Sequence, residues 1–82
     1  MKLTYTKSAI KDLESLERHI RDRIREKLLW FIQQDSPLAF AEPLAGMPGI
    51  FRYRIGSYRV IIKPDGTILL ILRIRKRSEA YR

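Results

Sequence analysis

Two glycine-bearing turns, Gly56-Ser57 and Pro64-Asp65-Gly66, leave the residues around them few ways to fold. They cut residues 46–81, GMPGIFRYRIGSYRVIIKPDGTILLILRIRKRSEAY, into three short runs rich in Ile, Val, Leu and Tyr. Short β-prone runs joined by glycine turns make hairpins, so this half of the chain predicts three antiparallel strands in a meander. Side chains alternate between the faces of a strand. That rule puts Phe51, Tyr53 and Ile55 on one side of the first run and Arg52 and Arg54 on the other. It sets Val60 and Ile62 against Arg59, Ile61 and Lys63 in the second. In the third it sets Ile68, Leu70, Leu72 and Ile74 against Leu69, Ile71, Arg73 and Arg75. Joining the apolar faces into one layer collects the arginines on the opposite one.

The N-terminal half changes period. Residues 2–5 fit a short extra strand with Leu3 and Tyr5 on one face. From Thr6, with Thr6 or Ser8 as N-cap, Ile10, Leu13, Leu16 and Ile20 recur at helical spacing, and Ile24, Leu28, Phe31 and Ile32 carry the pattern to about Gln34. With no Gly or Pro between, one long helix and two helices broken near His19 both fit. Two are expected, because paired stripes cover one face of a small sheet whereas a rod overhangs it. Asp35-Ser36-Pro37 ends the segment, and residues 37–48 read as a loop with a helical turn around Phe40. The expected order is β-α-α-β-β-β: an α+β fold with two helices on the apolar face of a four-stranded, mainly antiparallel sheet, in one domain over residues 1–82.

Charge narrows the function. Seventeen Lys and Arg against nine Asp and Glu give a net charge of +8 on 82 residues, which points to a polyanionic partner, nucleic acid first. There is no Cys and only one His, so thiolate or imidazole metal sites and thiol nucleophiles are not expected, and neither is a cofactor. The N-terminus lacks a signal-peptide apolar region and no apolar run reaches membrane length, so a soluble cytoplasmic protein is expected. The arginines of the three runs have a plain reading, the polar face of a one-sided sheet. Solubility is met by mixed charge, however, and these runs lack acidic residues. Arginine donates paired hydrogen bonds to phosphate and stays charged, so Arg52, Arg54, Arg59, Arg73 and Arg75 suit a run of successive phosphates. Tyr81 reads either as a packing or loose terminal aromatic or as a group that stacks on a base or moves a proton. With no His near such a face, any RNA cleavage must rest on orientation and charge stabilisation.

The pieces LAGMPG (residues 44–49), Tyr58-Arg59 and RIRKRSEAY (residues 73–81), in an arrangement that spans essentially the whole chain, resemble the RelE/ParE superfamily of type II toxin–antitoxin toxins, its RelE branch in particular. The resemblance implies a microbial-ribonuclease-like fold and an endoribonuclease that cuts mRNA in the ribosomal A site, the RNA's own 2′-hydroxyl attacking the adjacent phosphate. Carried over by position, Arg59 and Arg75 bind the scissile phosphate and stabilise its charge. Tyr81 orients a base or helps move a proton, and Arg52 and Arg54, with Arg73, Lys76 and Arg77, hold the backbone. The partners implied are mRNA, the ribosome and an antitoxin, expected to be acidic. Some RelE relatives carry lysines where this chain has Arg52 and Arg54, and many carry a histidine in the arginine-rich ending. Two other readings stay open: a ParE-like toxin that inhibits DNA gyrase by protein contact, and an inactive member that binds RNA without cutting it.

Overall fold

The structure, a computed structural model, describes residues 1–77. In chain order it contains β1 (Lys2–Tyr5), α1 (Lys7–Glu14), α2 (Arg18–Ile32), a 3₁₀ turn (Pro37–Phe40), β2 (Glu42–Pro43), β3 (Phe51–Ile55), β4 (Tyr58–Asp65) and β5 (Ile68–Lys76). The sheet order is β1-β5-β4-β3-β2. β1 runs parallel to β5 and all other neighbours are antiparallel. The α+β expectation holds, with one more strand than expected. β2 comes from the stretch read as a loop, and its two residues are too few to show an alternation.

Thr6 starts the helical layer. Its Oγ1 accepts from the Ala9 N–H at 3.0 Å, a side-chain N-cap. The helices part at residues 15–17, slightly before the expected break at His19, which lies inside α2. Ser15 Oγ donates back to the Asp12 carbonyl at 2.7 Å, a local bond that competes with helix continuation. Ala9 and Leu13 from α1 and Ile24, Leu28 and Phe31 from α2 are buried against Tyr53, Ile55, Val60, Ile62, Leu69, Ile71 and Ile74 of the sheet. Ile10, expected in the apolar stripe, is 45% exposed, and the small Ala9 takes the inward position. Phe31 stacks flat on Tyr53 with ring centroids 4.0 Å apart.

Both hairpin loops have two residues, Gly56-Ser57 between β3 and β4 and Gly66-Thr67 between β4 and β5. Gly56 and Gly66 each have φ near +58°, as the first central position of a type II′ turn requires. Pro64 and Asp65, expected in the turn, instead extend β4. Pro64 pairs with Leu69 beyond the last β3 partner, Ile62, where β4 has no neighbour on that flank to miss an N–H.

Strict alternation fails in β5. Leu69 and Ile71 are fully buried against the helices and Ile68 is 38% exposed, the reverse of the expected assignment for residues 68–72. The cause is a β-bulge: Ile61 of β4 pairs with Arg73 while the next residue, Ile62, pairs with Ile71, so Leu72 is the extra residue. Past it the parity reverses. Ile74 points into the core, and Arg75 lies on the other face, as expected from the sequence.

Candidate functional site

Register, more than proximity in sequence, assembles the basic face. Arg54 of β3 lies opposite Arg59 of β4, and Arg59 lies opposite Arg75 of β5, giving a row of three arginines across adjacent strands on the face away from the helices. Like charges directly opposite one another destabilise a sheet, so this row is an arrangement that stability alone disfavours. Arg59, in the middle, is only 4% exposed, which alternation alone did not foresee. A small cavity of about 70 Å³ opens at the end of the row, lined by Arg54, Gly56, Ser57, Tyr58, Arg59 and Arg77. Arg77 is brought there because its N–H donates to the Ser57 carbonyl at 2.7 Å, tying the end of β5 to the β3–β4 turn.

The face is not free of acid. Glu42 of β2 pairs in register with Arg52, and its carboxylate accepts from Arg52 Nη2 at 3.1 Å while lying 3.2 Å from Arg54 Nε. The Arg52 hydrogen bond, then the Arg54 charge, hold the Glu42 carboxyl below its ordinary pKa. Arg52 and Arg54 therefore share one counter-charge that the three long strands do not supply. The signal in the sequence was an acid-proline pair, Glu42-Pro43, ahead of the turn containing Gly46 and Gly49. It is legible only once that turn is read as a hairpin, closed by the Leu44 N–H donating to the Ile50 carbonyl at 2.9 Å.

Two of the expected substrate-binding residues go elsewhere. Arg73 reaches around to α1, where its Nε and Nη2 donate to the two Asp12 carboxylate oxygens at 2.9 and 3.2 Å. Asp12 Oδ2 also accepts from the Ile74 N–H at 2.8 Å. Burial pushes the Asp12 carboxyl up, but the bonds from Arg73 and Ile74, with the charges of Arg73 and Arg75, outweigh it and keep the group below its ordinary pKa. Lys76 lies opposite Tyr58 on the helix side of the sheet, in a cavity of about 220 Å³ that it lines with Asp12, Ser15, Leu16, Tyr58, Ile74 and Arg75. Tyr81 lies outside the described residues. The structure thus gathers Arg54, Arg59 and Arg77 around one cavity, sets Arg75 opposite Arg59 in register and within reach of the α1-side cavity, holds Arg52 beside Arg54 on Glu42, and draws Arg73 and Lys76 toward α1. Among the described residues no group of His, Cys, Asp and Glu is placed to hold a metal ion, and no helix is long and apolar enough to cross a membrane.

Relatives share this arrangement of strands and helices. The chain is similar to toxin RelE3 of Methanocaldococcus jannaschii, 28% identical over 85 residues that cover 99% of this chain and 96% of the relative. Its structure is similar to the RelBE2 toxin–antitoxin complex of Mycobacterium tuberculosis, at 29% identity and a TM-score of 0.81 over 93% of this chain and 96% of that one. It is also similar to the RelB–RelE antitoxin–toxin complex of Methanococcus jannaschii, at 25% identity and a TM-score of 0.75 over 94% and 93%. Residues 3–81 match the family described as ParE toxin of type II toxin-antitoxin system, parDE. With nearly its whole length matched, the chain belongs to the ParE toxin family, within the RelE/ParE superfamily of type II toxins.

Proposed function

We propose that this toxin is an endoribonuclease that cuts mRNA on the ribosome and is held in check by an antitoxin bound to its basic face. The observation that carries the reading is the cross-strand row of Arg54, Arg59 and Arg75, with Arg77 at its end. In the reaction the 2′-hydroxyl oxygen attacks the adjacent phosphorus, the bond from phosphorus to the 5′-oxygen breaks, and the 2′ proton is transferred away as the leaving oxygen gains one. The phosphorane-like transition state carries extra negative charge on its oxygens. Arg59 and Arg75 stabilise that charge, and Arg59 acts from a buried position where Coulomb attraction is stronger than in water. Arg52, Arg54 and Arg77 hold the flanking backbone, Lys76 extends the positive field from the α1 side, and Arg73, its charge matched by Asp12, contributes through its place in the strand. Tyr81 orients the base or helps move the proton. Two of the solved relatives are toxin–antitoxin complexes, which supports a heteromeric complex here also. A net charge of +8 favours an acidic antitoxin.

The test is mRNA integrity in a reconstituted translation system. Wild type is expected to cut the message only when ribosomes are present, and Arg75→Ala to slow cutting by about 10²- to 10³-fold. An intact message with wild type overturns the reading. The match to a family described by ParE favours one second reading, inhibition of DNA gyrase by protein contact, which a supercoiling assay detects. Salt-dependent RNA binding without cleavage marks instead a binding-only member.

A further inference from the structure

The row of arginines depends on the bulge in β5. Under unbroken alternation from Leu69 and Ile71, both buried against the helices, Arg73 and Arg75 turn inward with them. The extra residue Leu72 shifts the frame, so that Ile74 fills the core and Arg75 comes out opposite Arg59. What holds the extra residue in place is α1 and the Thr6 that caps it. β1 ends at Tyr5, paired with Ile71, and β5 then runs on past its neighbour. The groups left on that flank are taken up one after another. The Thr6 N–H donates to the Ile71 carbonyl at 3.0 Å, Thr6 Oγ1 donates to the Leu72 carbonyl at 2.8 Å, and Asp12 Oδ2 accepts from the Ile74 N–H at 2.8 Å. The same carboxylate holds the Arg73 guanidinium through two bonds, and its side chain is only 17% exposed.

We infer that Asp12 is a positioning residue for the phosphate site: by gripping the Ile74 N–H and Arg73 it fixes the bulge, and through the bulge it sets Arg75 on the front face beside Arg59. Asp12 touches no substrate, and its effect on the reaction passes through Arg75. This inference rests on the nuclease reading for its kinetic consequence but not for its structural one.

Three variants and two measurements test it. Asp12→Ala removes the acceptor, Asp12→Glu keeps the charge but moves it by one methylene, and Asp12→Asn keeps an oxygen able to accept from the Ile74 N–H. In the full-length toxin, amide exchange at Ile74 followed by NMR is expected to quicken at least about tenfold in Asp12→Ala and Asp12→Glu, with weakened Arg59–Arg75 cross-strand contacts, and to change little in Asp12→Asn. The single-turnover cutting rate on ribosomes is expected to fall about 10²-fold in the first two, as small misplacements of a catalytic group do, and to recover to within about tenfold of wild type in Asp12→Asn. In an Arg75→Ala background, Asp12→Ala is expected to add less than about threefold. Unchanged Ile74 exchange and cross-strand contacts in Asp12→Glu overturn the inference, and so does a full additional loss on top of Arg75→Ala. If Asp12→Ala does not fold, Asp12→Glu and its combination with Arg75→Ala carry the same comparison. Should wild type fail to cut RNA, the nuclease reading falls alone, and the NMR measurement still decides whether Asp12 holds the bulge.

Discussion

Tyr53 shows how one residue links the layers. Its ring is fully buried and stacked on Phe31, and its hydroxyl donates to the Pro37 carbonyl at 2.8 Å, fastening the 3₁₀ turn to the sheet. Burial pushes the phenol from its ordinary 10.0 up to about 12. A raised pKa means that the folded state holds the proton more tightly. The stabilisation is therefore complete below pH 10 and is lost as pH rises toward 12, with a slope of at most about 1.4 kcal/mol per pH unit. Tyr53→Phe is expected to cost about 1 kcal/mol in urea unfolding at neutral pH and to show a shallower decline than wild type above pH 10. Alternation placed Tyr53 on the core face correctly. Its bond to Pro37 was not legible, because a contact across 16 residues depends on how the loop returns. Arg59 was likewise assigned to the right face, but its burial depends on its neighbours and not on its own alternation.

At the level of elements, the sequence was readable where one local rule governs and opaque where a partner intervenes. Glycine turns gave the hairpins and apolar periodicity gave the helical segment, while its division into two helices came from the need to cover a small sheet. The fifth strand and the bulge escaped because each is set by its neighbour: β2 exists by pairing with β3, and the frame of β5 changes where β1 ends and α1 takes over its flank. The two-residue β2 matters to the site through Glu42, which engages both Arg52 and Arg54. Glu42→Gln removes that counter-charge while keeping a side chain of the same shape. It is expected to tighten binding of a single-stranded RNA oligonucleotide several-fold at low salt, read by fluorescence anisotropy, because each cation freed for phosphate adds to the electrostatic part of affinity. Unchanged or weaker binding would mean that Glu42 orders the two arginines more than it occupies them.

Across the molecule the two layers divide the work, with an apolar helical cover on one side of the sheet and most of the expected phosphate-binding groups on the other. The affinity for single-stranded RNA is expected to fall linearly on a log–log plot against salt, with a slope of about −0.7 per phosphate contact. Arg54→Ala is expected to flatten that slope by about one contact, and Lys11→Ala, on the exposed side of α1, to leave it unchanged. Equal slopes for the two variants would remove the front face as the RNA surface. The order of the strands also sets a schedule. β1 is made first but lies parallel to β5, with Lys2 opposite Ile68, so during synthesis it waits for the last strand before it has anything to pair with. Hairpins of near neighbours close fast, whereas contacts between distant parts of the chain close late. Arg75 sits on β5 too, so closing the β1 edge of the sheet and completing the row of arginines both wait for that strand.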